Sequence, residues 1–257
     1  MEKYTYIKWE ALEDGIGLLT LNRPDAYNAI NGEMMDELHN FWETRLYDLD
    51  TVVILMKGAG EKGFCAGLDV KWILEYQKEL SSAGFYAFQA KLARINLAMR
   101  RAPQPIICMV HGSAVGLGFS IAMASDIRVI SKDARFCAAF INIGLGGADM
   151  SCSYFLPRLI GAGRAYEFMY TGEMMSSEEA VNLGFVSKMV EREELFDVGL
   201  KYAKTLCSKN HFGLRLTKEA INMNLDAGGL EQALNMEDRN QTLLAAISGI
   251  KSSLKPK

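Results

Sequence analysis

An α/β chain with a mostly parallel sheet, followed by a region of helices alone, is the fold class these 257 residues predict. Three observations carry it. Short apolar runs without charge, such as Ile106 to Val110, suit strands covered on both faces. Amphipathic stretches of helical length alternate with those runs up to about residue 190. From Glu193 onward the pattern is helical almost throughout, so a core over 1–192 and a helical region over 193–257 are expected.

The elements follow in order. Residues 4–10 and 15–22 read as a hairpin, with Glu13-Asp14-Gly15 as the turn signal. Asn31-Gly32 opens a helix with Met34, Met35, Leu38, Phe41 and Trp42 on one face. Val52 to Met56 is a buried strand, and Lys57 to Gly63 a glycine-rich loop leading into Phe64-Cys65-Ala66-Gly67-Leu68-Asp69. Ser82 to Arg101 is a long amphipathic helix that Pro103 and Pro105 terminate. The strand Ile106 to Val110 then meets a turn spaced by Gly112, Gly116 and Gly118, and a small-residue helix over Phe119 to Ser125. Ile127 to Ile130 is another strand. Gly144 to Gly147 is a flexible turn, after which Asp149 starts a helix to about Ile160 as a plausible N-cap. Arg164 to Tyr170 is helical. Ser176-Ser177-Glu178-Glu179 is a capping-box start for a helix to Leu183, and Phe185 to Val190 a last strand. Helices over 194–208, 212–226 and 229–247 close the chain.

Composition narrows the function classes. The chain is 49% hydrophobic and 23% charged, with a net charge of −3. With no polybasic cluster, nucleic acid is not an expected partner. The uncharged stretch from Pro103 to Ser125 is broken by prolines, glycines, Gln104 and His111, so it is not a membrane span. Met1-Glu2-Lys3-Tyr4 leads into polar-alternating residues rather than a secretory apolar segment. The five cysteines show no metal-ligand or redox spacing, so buried, reduced thiols in a cytoplasmic protein are expected. The three histidines are scattered, and no metal site is visible. No GxxxxGK[ST], GxSxG, HExxH or helix-opening GxGxxG motif is present. Two loops are alike in kind: Ala66-Gly67-Leu68 and Gly116-Leu117-Gly118 each follow a buried strand region and offer backbone N–H groups at a glycine. Two such donors, if they converged, would stabilise charge developing on a carbonyl oxygen.

The chain resembles the crotonase, or enoyl-CoA hydratase/isomerase, superfamily. The resemblance rests on Asn22-Arg23-Pro24 with Asn28-Ala29-Ile30, FCAGLDV at 64–70, PQPIICMVHGSAVGLGFSIAMASDIRV at 103–129, ARF at 134–136, LPRLIGAGRAYEFMYTGEMMSSEEAVNLGFVSKMV at 156–190, and EDRNQ at 237–241. It implies a crotonase-like ββα superhelix core with a C-terminal helical trimerisation region, assembled as a homotrimer or a hexamer (a dimer of trimers). It implies an acyl-CoA thioester as substrate and no separate cofactor. By position, the N–H groups of Leu68 and Leu117 would form the oxyanion hole. Adenine and pantetheine contacts would fall on Ala26, Ala66, Asp69 and Val70, with Asp69 equally able to cap a helix.

The departures bear on the reaction. The hydratases' two glutamates correspond to Ser120 and Phe140, which cannot replace a general acid/base pair. Ordinary hydration is therefore disfavoured. Asp149 falls where the dienoyl-CoA isomerases carry a catalytic Asp, although counting forward from Phe136 puts the register one residue off, an insertion. The same position holds the nucleophile of the related 4-chlorobenzoyl-CoA dehalogenase, whose histidine and tryptophan match Ala93 and Phe140, so dehalogenation is not expected. Phe136, Phe140 and Ile141 would make the pocket apolar. Double-bond isomerisation with Asp149 as base is the leading expectation. Thioester or C–C hydrolysis stands behind it, and so does a non-catalytic acyl-CoA-binding role. Lys251 and Lys255 in the C-terminal tail could meet phosphates.

Overall fold

The computed structural model describes residues 4–248. A six-stranded sheet forms its centre, in the order β1 (Ile7–Ala11), β2 (Ile16–Leu21), β3 (Val53–Gly58), β4 (Ile106–Val110), β6 (Ile127–Ser131), β9 (Lys188–Val190). The hairpin of β1 (Ile7–Ala11) and β2 (Ile16–Leu21) is antiparallel, pairing Ile7 with Leu21 and Ala11 with Gly17. Helix α1 (Gly32–Arg45) returns the chain to β3 (Val53–Gly58), which pairs with β2 in parallel. Its N-cap is Asn31, whose side chain accepts from the Met34 N–H.

Two helices then precede the next strand: α2 (Val70–Tyr76) and α3 (Ser82–Arg101). Only the capping reading of Asp69 pointed to helix α2. It spans two turns and follows the Asp69 cap, too short for its periodicity to stand out. After β4 (Ile106–Val110), the three-residue β5 (Ser113–Val115) enters a second sheet, and α4 (Leu117–Ala124) follows, two residues earlier than expected. Strand β6 (Ile127–Ser131) adds in parallel to β4, and β7 (Arg135–Cys137) lies parallel to β5.

Helices α5 (Cys152–Ile160) and α6 (Ala162–Thr171) are separated by Gly161 alone. The pair β8 (Met175–Ser176) and α7 (Ser177–Asn182) follows, the latter opened by the expected Ser176/Glu179 capping box. Strand β9 (Lys188–Val190) completes the sheet, and α8 (Leu195–Cys207), α9 (His211–Asn224) and α10 (Leu230–Ser248) end the described chain.

Side-chain alternation along the strands divides the interior in two. Leu19, Leu21, Ile54, Met56, Ile106, Cys108 and Val110 face α1, α3 and α4. Leu18, Val53, Leu55, Ile107, Met109 and Val129 face α8, through Leu195 and Ala203. Both faces are covered, which is why these strands read as unbroken apolar runs. Helix α8 therefore belongs to the core. The helices that stand off it begin at α9. The reason is the apolar face of α8, which lies on the sheet, whereas Lys218 alone is buried on α9.

Candidate active site

The first of the two glycine loops is held by the segment that follows β2. Asn28, fully buried, donates from Nδ2 to Ala59 O and Gly63 O, both at 2.9 Å, and accepts from the Arg23 N–H at 3.0 Å. Beyond it, Ala66 N–H donates to Tyr27 O, Ile30 N–H to Gly67 O and Asp69 N–H to Ile30 O, at 2.7–3.0 Å. In this parallel bridge between Ile30 and Leu68, the groups turned toward Ile30 belong to Gly67 and Asp69. The Leu68 N–H therefore faces the other way.

The second loop arrives beside it. Cys65 forms a parallel bridge with Ala114 of β5, with the Val115 N–H on Cys65 O at 2.9 Å. Gly116 adopts φ 53° and ψ −119°, a backbone region in which a side chain is strained, and so turns the chain abruptly into α4. Leu117 is the first residue of α4, so its N–H lacks an intrahelical acceptor and lies at the positive end of the helix. The loops touch: a Cβ placed on Gly67 would lie 2.6 Å from Val115 O and 3.2 Å from Leu117 N. Among the described residues, neither the Leu68 nor the Leu117 N–H has an acceptor within the chain. Two adjacent, unused N–H donors are what an oxyanion requires.

The acid side of the site departs from the expectation in two places. Asp149 does not cap α5. The N-cap is Ser151, and the Asp149 carboxylate turns instead toward α3, where Oδ1 accepts from Gln89 Nε2 at 2.8 Å and from the Met150 N–H at 2.8 Å. Two successive left-handed residues, Met150 at φ 44° and Ser151 at φ 71°, delay the helix to Cys152. The second departure is Phe136, expected in the pocket. It is fully buried among Phe119 and Phe185 in the core, as an inward position of β7. Phe140 does approach the glycine turn, its ring 3.6 Å from where a Gly116 Cβ would stand, and Ile141 is partly exposed beside it.

Ser120 is fully buried, its hydroxyl bonded back to Gly116 O at 3.2 Å and 3.5 Å from Cys152 Sγ. Burial pushes the Cys152 thiol up to about 12, with Asp149 among the groups raising it, so this cysteine is no nucleophile near neutral pH. Asp149 is thus close enough to Cys152 to act on its thiol, and Cys152 in turn touches Ser120 of α4.

Asp69 does two structural jobs. Oδ1 accepts from the Trp72 N–H at 3.2 Å as the N-cap of α2, and Oδ2 pairs with Arg23 Nη2 at 3.0 Å. Ala26, Ala66 and Val70 form an accessible edge around the Tyr27–Ala66 hydrogen bond, with Val70 53% exposed. Lys251 and Lys255 lie outside the described residues. Gln89 and Asn96, which grip the Asp149 segment from α3, were missed. They stand two helical turns apart on one face, a spacing visible in sequence, but polar residues on an amphipathic helix read as solvated. Among the described residues no three His, Cys, Asp or Glu side chains group to hold a metal ion, and no helix is long and apolar enough to cross a membrane.

Comparison with known proteins gives a consistent result. The sequence model of the family described as enoyl-CoA hydratase/isomerase matches residues 11–255. The "Probable enoyl-CoA hydratase" of Mycobacterium leprae is 36% identical over 233 residues, 90% of this chain and 79% of the relative. The crotonyl-CoA hydratase of Syntrophomonas wolfei is 30% identical over 229 residues, 88% of this chain and 84% of the relative. The crystal structure of an enoyl-CoA hydratase from Bacillus anthracis superposes with a TM-score of 0.89 at 27% identity, covering 95% of this chain and 92% of that one.

Proposed function

The chain belongs to the enoyl-CoA hydratase/isomerase family, and we propose that within it this enzyme moves a double bond along an acyl-CoA thioester, with Asp149 as its one base. The observation that carries this reading is the asymmetry of the Asp149 carboxylate. Oδ1 is occupied by two donors, whereas Oδ2 accepts nothing within the described residues and remains available to a proton. The two glutamate positions of a hydratase are a buried serine and a phenylalanine.

In this reading the thioester carbonyl oxygen accepts from the Leu68 and Leu117 N–H groups, which lowers the cost of forming an enolate. Asp149 takes a proton from the α-carbon of a 3-enoyl thioester. The electron pair delocalises over the dienolate, and the same carboxyl returns the proton at the γ-carbon, leaving the conjugated 2-enoyl thioester. One group suffices because the proton removed is the proton returned. The exposed edge of Ala26, Ala66 and Val70 would receive the adenosine and pantetheine, and Phe140 would bound an apolar acyl chain. No cofactor beyond the CoA of the substrate enters.

The test is turnover of a trans-3-enoyl-CoA, followed by the ultraviolet absorbance of the conjugated product. Asp149→Asn should reduce kcat at least 10²-fold, the order of magnitude for losing a general base; unchanged turnover in this variant sinks the assignment. A second reading, hydration, is favoured by the names of the relatives 36% and 30% identical. It would show as a product heavier by one water from a 2-enoyl-CoA. Tight binding of CoA esters with neither product would select the non-catalytic alternative.

We also read the outer faces of α9 and α10 as the assembly surface of a homotrimer or a dimer of trimers. Ile221 and Met223 of α9, Leu225 just beyond it, and Leu234 and Leu243 of α10 are each more than 40% exposed, the kind of apolar side chains that association covers.

A further inference from the structure

We propose that α3 is the element that aims Asp149, with Gln89 as positioning residue for the carboxylate and Asn96 for the backbone that carries it; this rests on Asp149 being the base.

The argument starts from the backbone. Met150 and Ser151 are both left-handed at φ 44° and 71°, a conformation neither residue type favours, so something outside the segment must hold it. The holder is Asn96. It is 1% exposed, and its Nδ2 donates to Met150 O at 2.9 Å and to Ser151 Oγ at 3.2 Å. Its Oδ1 is buried with no partner, an unfavourable state that an apolar side chain would avoid. The contacts Asn96 makes are thus confined to the strained pair.

Gln89 acts seven positions earlier, two turns back along the same face of α3. Its Nε2 donates to Asp149 Oδ1 at 2.8 Å. The Met150 N–H reaches that same oxygen, but it comes from the adjoining residue and cannot by itself fix the rotation of the carboxylate in space. The Gln89 contact refers the carboxylate to an independent, twenty-residue helix. Two donors on Oδ1 also decide which oxygen is left for the substrate: Oδ2. Neither amide needs to touch the thioester. Their effect is on the distance and angle of the proton-accepting oxygen, and a small misplacement there is expensive in rate.

The experiment is a double-mutant cycle on the full chain: Gln89→Met, which keeps length and removes both donors, Asp149→Asn, and the two together. The probes are trans-3-octenoyl-CoA for isomerisation and phenylacetyl-CoA in deuterium oxide for α-hydrogen exchange, read by mass spectrometry. Gln89→Met is expected to lower kcat roughly 10- to 100-fold with KM nearly unchanged, and to cause no further loss in the Asp149→Asn background. A kcat retained in Gln89→Met beside an inactive Asp149→Asn overturns this inference and leaves the base assignment standing. So does an equal loss in both backgrounds, or a loss confined to KM. Wild-type turnover in Asp149→Asn, or wild-type protein that promotes neither reaction, overturns both. Gln89 is half-buried, so the methionine variant is not a test of folding.

Discussion

At Gly67 the backbone leaves no room for a side chain. Its φ is +90°, and a Cβ would meet Val115 O at 2.6 Å, well inside van der Waals contact. The neighbour is itself backbone and cannot rotate away. Gly67→Ala must therefore part the two loops that bring Leu68 N–H and Leu117 N–H together. We expect a loss of roughly 1–3 kcal/mol in stability, measured by urea unfolding, and a larger proportional loss in turnover on a 3-enoyl-CoA. Wild-type activity with wild-type stability would show that the two donors do not depend on this contact. The same residue scale explains why Leu at 117 is tolerated: the group offered to a ligand there is the backbone N–H, while the Leu117 side chain is 1% exposed in the core.

At the scale of elements, α9 is joined to the core by Leu214 on the α8 side and by a buried polar junction at Lys218. Lys218 of α9 is 6% exposed, and its ammonium donates to Met99 O at 3.2 Å and Gln104 O at 2.9 Å and pairs with Asp126 at 2.9 Å. Burial pushes the Lys218 ammonium below its usual range, opposed by Asp126. Asp126 also receives Arg100 at 2.7 Å and the Ile106 N–H at 2.8 Å, so α3, β4, β6 and α9 meet at one carboxylate. Lys218→Met removes the cation of a buried pair and takes the ammonium donor from Met99 O and Gln104 O, while Asp126 keeps Arg100 on Oδ1 and the Ile106 N–H on Oδ2. A destabilisation of roughly 2–4 kcal/mol is expected, read by urea unfolding. A change below about 0.5 kcal/mol, the range of ordinary surface substitutions, would show the pair to be incidental. Helix α3 appears at this scale too, joining that junction to the Asp149 loop through Asn96 and Gln89.

At the scale of the whole molecule, the fold leaves α9 and α10 with little of their own surface covered: α9 buries only Lys218. Apolar side chains such as Ile221, Met223 and Leu234 remain on the outside. Sedimentation equilibrium is expected to give three or six chains per particle. Leu234→Asp with Met223→Asp should shift that mass toward one chain, and a wild-type monomer at micromolar concentration would refute the assembly.

What the sequence determined by itself was whatever depends on local pattern. Apolar runs such as Ile106–Val110 declared two-sided strands, and the amphipathic period over Ser82–Arg101 with the prolines after it bounded α3 to the residue. The glycine loops at 66–68 and 116–118 announced free N–H groups, because glycine at a turn is a statement about backbone conformation. Elements of three residues, β5 and β7, and the seven-residue α2 were beyond reach or only glimpsed, since so short a segment has no period to read. The aim of Asp149 was decided only by the tertiary structure. Locally it reads as an N-cap, one residue type at one helix start. Gln89, sixty residues earlier, and the left-handed pair held by Asn96 turn it away from that helix, and contacts at such separation leave no trace in local pattern.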